Sequence, residues 1–157
     1  MTHRAEQVVD AARSTLQAHA LLAGIKDSIY KHRILSLSDQ DQEMPAISVT
    51  LGEDAVLDED GASNFTFFDS LQLLTFRIIV QGVAGDEEEH VITALQDLRR
   101  AIHVALMAND TLGLAFVIST RYGGADAPVL DGTGELLCGM LDCRWAVHYR
   151  MNQADPQ

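Results

Sequence analysis

Apolar and polar positions change period several times along the chain, and each change marks an element. Over residues 3–22, Ala5, Val8, Val9, Ala12, Leu16 and Ala20 recur at spacings of three and four, opposite Arg4, Glu6, Asp10, Arg13 and Gln17. This stripe predicts an amphipathic helix, with Thr2 as its N-cap and Gly24 as its stop. From 25 to 37 the period falls to two: Ile29, Lys31, Arg33 and Leu35 alternate with Tyr30, His32 and Ile34, which predicts a strand. Residues 38–43 read as a polar turn. Pro45 then leads into a second strand, where Ile47, Val49 and Leu51 share a face. The stretch 52–64 has no sustained period and holds Glu53, Asp54, Asp58, Glu59 and Asp60 with two glycines, so it predicts a long acidic loop. Period two returns over 65–83, with Leu74, Phe76, Ile78 and Val80 on one face and Leu73, Thr75, Arg77 and Gln81 on the other. That run is longer than an ordinary strand and is expected to bend or project beyond the sheet.

The second helix has the clearest local signal. Asp86 is a suitable cap with Glu89 three residues on, and Val91, Ile92, Leu95, Leu98, Ile102, Ala105 and Leu106 make one apolar stripe. Asn109, Asp110 and Gly113 end it. Two strands follow, over 114–122 and 136–151. In the second, Leu137, Leu141, Cys143, Trp145, Val147 and Tyr149 lie opposite Asp142, Arg144, His148 and Arg150. The glycine-rich link 123–134 reads as an extended hairpin loop. The order is α-β-β-β-α-β-β, an α+β fold with a mainly antiparallel sheet and two helices packed on one face. Residues 1–152 make one domain, and 153–157 a frayed tail.

A chain of 157 residues with 47% apolar and 22% charged positions is long enough to bury a core without a metal or disulfide staple. Charge alters the picture more. Eleven Lys+Arg against 23 Asp+Glu give −12, a balance that repels phosphate backbones and anionic lipid. The N-terminal residues have no apolar region of a secretory signal, and no segment reaches the length of a membrane span, so synthesis and folding in the cytoplasm are expected. Cys138 and Cys143 have opposite parity on one strand, about 16 Å apart, too far for a bridge.

Catalytic chemistry finds little support. The six histidines are scattered without metal-ligand spacing. Asp58-Glu59-Asp60-Gly61 fails the calcium-loop pattern, having Ser63 at its sixth position and Asp69 at its twelfth. No helix follows Arg121-Tyr122-Gly123-Gly124 to hold a phosphate, and Cys143 and His148 face opposite ways. No catalytic, cofactor-binding or metal residue is assigned. Assembly fits better: Phe65, Phe67 and Phe68 stand beside the acidic loop, and overlong strands leave edges that suit pairing with a neighbour.

The layout resembles the tail terminator (tail completion, minor tail protein U-like) family of long-tailed bacteriophages. The resemblance runs through a short N-terminal helix, Ile29-Tyr30-Lys31-His32-Arg33 ahead of Met44-Pro45-Ala46-Ile47-Ser48-Val49, an acidic insertion, and the strand from Leu73 to Gln81. It continues in the helix from Val91 to Leu106, with Leu98-Arg99-Arg100-Ala101-Ile102, and in Trp145-Ala146-Val147-His148-Tyr149-Arg150. It implies a virion protein assembled in the host cytoplasm, a hexameric ring on the head-proximal end of the tail. That ring ends polymerisation of the major tail tube protein and offers a surface to the neck and head-completion proteins. DNA passes through its lumen without specific binding, and no membrane is involved. Arg77, Arg99, Arg100, Arg121 and Arg144 are the candidate basic partners between acidic subunits, with Phe65, Phe67 and Phe68 as further contacts and Asp58, Glu59 and Asp60 facing the lumen. The alternatives are another head–tail joining ring, or a small cytoplasmic ligand-binding protein or enzyme with a pocket near His103 and Cys143.

Overall fold

The computed structural model describes residues 2–37, 43–57, 67–83, 88–132 and 136–152. Helix α1 (Arg4–Ala18) is followed by a 3-10 helix (Ala20–Ser28), strands β1 (Ile29–Lys31), β2 (Ala46–Leu57) and β3 (Phe67–Gln81), helix α2 (Glu88–Met107), and strands β4 (Val117–Ala125), β5 (Val129–Asp131) and β6 (Cys138–Asn152). The sheet runs β1-β2-β3-β6-β4, with β5 also on β6. All its pairings are antiparallel except β1 with β2. This is the expected α+β architecture, with a parallel pair at one end and a short extra strand.

Both helices lie on one face. Val8, Val9, Ala12 and Leu16 of α1 and Val91, Leu95, Ile102 and Leu106 of α2 share a core with Ile47, Val49, Leu74, Phe76, Ile78, Cys143 and Trp145. The apolar stripes bury where their spacing predicts, except that Ile92 and Leu98 are covered only in part and Ala20, beyond the end of α1, is exposed. Lys31 Nζ fixes α1 to β1 by reaching Glu6 Oε2 and Asp10 Oδ1, each at 2.7 Å.

Several local expectations are corrected. His3, not Thr2, caps α1, its Nδ1 accepting from the Ala5 N–H at 3.1 Å. The helix stops at His19, whose ψ of 134° is extended, and Gly24 lies inside the 3-10 helix that follows. Residues 25–28 are therefore not strand. The period-two run ends at Lys31 because His32 adopts φ 54° and turns the chain across the sheet face opposite the helices. There Leu35 is fully buried with Ala46 and Ile79, while Ile34 points into solvent. Ser48 Oγ and Arg77 secure this crossing by donating to the Arg33 and Leu35 carbonyls at 2.7 and 3.3 Å.

The start of the expected acidic loop is strand. β2 continues through Leu57 because a bulge absorbs one residue: Leu51 opposes Leu74, but Asp54 opposes Gln72. Gln72, 3% exposed, donates its amide to the Gly52 and Glu53 carbonyls at 2.9 and 3.3 Å, satisfying acceptors that the interrupted ladder leaves over. The predicted 123–134 loop likewise contains the end of β4 and all of β5. Gly124, at φ 104°, supplies the left-handed residue where β4 shifts register between Tyr122 and Gly124. The Asp86 cap lies outside the described residues.

Candidate assembly surfaces

Four of the histidines and Cys143 make contacts within the fold. His3 and His19 accept from helix N–H groups, His32 Nε2 lies 3.2 Å from Glu6, and His103 Nδ1 accepts from Trp145 Nε1 at 3.4 Å. Burial pushes the Cys143 thiol up to about 12, far from a reactive thiolate. A shallow groove between the ends of α1 and α2 is lined by residues including Ala11, Thr15, Ala105, Ala108 and Leu112, and by neither His103 nor Cys143.

Among the residues expected to make contacts, Phe67 is 52% exposed at the start of β3, whereas Phe68 turns inward against the core. Leu57 is also exposed, so the described ends of β2 and β3 carry apolar side chains. Phe65, Asp58, Glu59 and Asp60 lie outside the described residues.

Arg77 is engaged within the chain. Its Nε and terminal nitrogen donate to the two Asp142 carboxylate oxygens at 2.8 and 2.7 Å, directly across the β3–β6 ladder. Arg144 pairs with Asp126 at 2.6 Å. Arg99 stands differently: it packs over the Tyr122 ring at 6.0 Å and donates to its hydroxyl at 3.3 Å. Tyr122 in turn meets Trp145 edge-on, with centroids 5.3 Å apart, and Trp145 meets Phe76 at 5.1 Å. An aromatic ladder thus runs from the core to the β4 edge and ends in an arginine. Arg100 on α2 and Arg121 on β4 are exposed.

Farther along β6, Asp69 accepts from Arg150 Nε at 2.8 Å and lies 3.0 Å from His148 Nε2. The Arg150 contact, with that of His148, holds the Asp69 carboxyl below its ordinary value. A depressed carboxylate stabilises the fold above its unfolded pKa, and that stability is lost as pH falls through the folded one. Asp69→Asn is therefore expected to be less stable than the natural chain at neutral pH, with the gap narrowing as the medium is made acid and Asp69 takes up its proton. Urea melts over a series of falling pH check this; a stability gap that does not narrow in acid would remove the ion pair as its cause.

Sequence reasoning missed the Gln72 plug, the Asp69 cluster and the Arg99–Tyr122 ladder. Only the last left a signal, since Trp145 and Tyr122 had predicted strand positions and Arg99 interrupted an apolar stripe.

No protein-family model and no curated protein matches the sequence. Among solved structures, the chain is similar to one in the virion of a native gene transfer agent particle. The match has a TM-score of 0.54 at 19% identity and covers 88% of this chain and 92% of that one. The two chains share a fold along nearly their whole length.

Proposed function

We propose that this chain is a structural protein of a phage-like virion, and that it acts as a tail terminator. In this reading a ring, hexameric as the family resemblance implies, caps the head-proximal end of the tail tube. It stops the major tail tube protein from adding and offers its other face to the neck and head-completion proteins. The near full-length likeness to a chain of a gene transfer agent virion supports the virion part of this reading, and the terminator role follows from the family resemblance. The chain's own physics supports it. A net charge of −12 suits a conduit through which DNA must slide without sticking. Its role is assembly rather than catalysis.

Axial contacts are assigned to the arm formed by the paired ends of β2 and β3 and to the 123–134 connection, and lateral contacts to the strand edges and α2. Residues 54–57 pair with Asp69–Gln72, so the arm is best tested by surface substitution rather than deletion. Leu57→Ser with Phe67→Ser is expected to weaken docking to purified tubes by about tenfold. The melting temperature should barely move, because both side chains are exposed. Undiminished cosedimentation with tubes would take the arm out of the axial contact.

Electron microscopy of a lysate from a phage lacking this gene tests the function itself. Abnormally long headless tubes are the expected result. Normal-length tubes beside filled, tailless heads would instead assign the chain to the neck or head-completion ring, the runner-up in sequence. Intact infectious virions would sink both readings.

A further inference from the structure

Two strand edges carry an inference that rests on the ring reading and deepens it. β1 pairs only Ile47–Val49, so among the described residues the rest of β2, Thr50–Leu57, has no strand on its outer side. β4 closes the other end of the sheet and, among the described residues, is paired on one side alone. Neither Thr50–Leu57 nor Ile118–Tyr122 holds a lysine or proline, so the bulge after Leu51 in β2 and the register shifts at Ser119 and Gly124 in β4 are the interruptions these edges carry. Both expose apolar side chains, Val56 on one and Ile118 and Tyr122 on the other.

We propose that copies of this chain join head to tail by sheet addition, the β4 edge of one copy pairing antiparallel with the free β2 edge of the next. Strand direction favours this. β2 is antiparallel to β3, β3 to β6 and β6 to β4, so β4 runs opposite to β2. A rotation about an axis along the strands therefore sets β4 of one copy against β2 of its neighbour in antiparallel sense, and repeating that rotation closes a ring. Charge also matches. The β2 edge exposes Glu53 and Asp54, whereas the β4 edge bears Arg121, with Arg99 of α2 over Tyr122. The faces agree as well. Asp54 opposes Gln72 on the helix-bearing face, where Tyr122 opposes the buried Trp145 and carries Arg99. Asp54 of one copy is thus placed to meet Arg99 of the next, and Arg121 meets the acidic edge from the other face. The occupant of each edge is a second copy of this chain.

Sedimentation of the full chain over a concentration series tests the proposal. The natural chain is expected to self-associate, Asp54→Arg and Arg99→Asp each to weaken association by about tenfold or more, and the double charge swap to recover it. Asp54→Arg should melt like the natural chain, since Asp54 is exposed, whereas Arg99→Asp also gives up the Tyr122 contact, so association is compared at a temperature where all four proteins are folded. Mixing the two single variants should restore association, because both kinds of junction in the mixture, the natural one and the exchanged one, join opposite charges, whereas each variant alone stays weakened. A natural chain that is monomeric up to about 1 mM overturns the proposal. So do oligomers insensitive to both charge reversals, although these would leave the ring reading standing. Conversely, edge-dependent association together with normal tails in the gene-deleted phage would retain this interface and reject the terminator role.

Discussion

Trp145→Ala is expected to lower stability by about 3–5 kcal/mol. The side chain is fully buried in the middle of β6, stacked edge-on against Phe76 at 5.1 Å and Tyr122 at 5.3 Å, with its indole N–H given to His103. Truncation removes the largest fully buried side chain and opens a cavity between the sheet and α2, where the surrounding secondary structure restricts collapse. It also leaves His103 without its donor and removes the support behind Tyr122. Against a typical total of about 5–15 kcal/mol, such a loss puts the variant near its unfolding threshold at growth temperature. Urea denaturation measures it directly. A change under about 1 kcal/mol would mean that the helices settle into the void and that the ladder has little rigidity. Phe76→Leu in the same series separates ring stacking from volume, because it retains apolar bulk but loses the edge contact.

Gly139→Val is expected to be comparably severe for the opposite reason. Gly139 lies on β6 opposite Val80 and Leu130, beneath the start of α2. A Cβ placed there would come within 2.6 Å of Val91 Cγ1, 3.0 Å of Leu95 Cδ1 and 3.2 Å of Leu130 Cδ2. Val91 is β-branched and stiff at χ1, so it cannot swing aside, and α2 must lift from the sheet. Overpacking of this kind costs about 1–3 kcal/mol and more when a backbone element has to move. Gly24→Ala provides the control. Nothing lies within 4 Å of a Cβ at Gly24, and that substitution should be neutral or stabilising by about 0.4–1 kcal/mol through the unfolded chain. Thermal melts of the two variants side by side check both. If Gly139→Val melted like the natural protein, the close packing of α2 on β6 would be wrong.

The local corrections share one cause. Alternation at Arg33 and Leu35 mimics a strand, yet Leu35 is buried by crossing the opposite face of the sheet, a second and smaller core that a single-face reading does not provide for. The acidic composition of 52–57 hides a strand because its outer side is open, so polar residues are tolerated along the whole segment. The candidate surfaces were legible only as residue types. Arg77 and Arg99 look equivalent in sequence, but Arg77 is held by Asp142, 65 positions away, whereas Arg99 caps an aromatic ladder at the sheet edge.

From the sequence alone came the properties that depend on near neighbours along the chain. These are the two helical stripes, the inward faces of β3 and β6, the α+β class and the acidic balance, because burial imposes periods of 3.6 and 2 on whatever sequence forms those elements. Tertiary structure decided which strands adjoin, where each segment leaves the sheet, and which arginines stay within the chain. Strand order, the bulge closed by Gln72 and the two open edges depend on partners far away in sequence. Hydrogen-bond satisfaction and packing between distant residues settle these, and no local pattern encodes them.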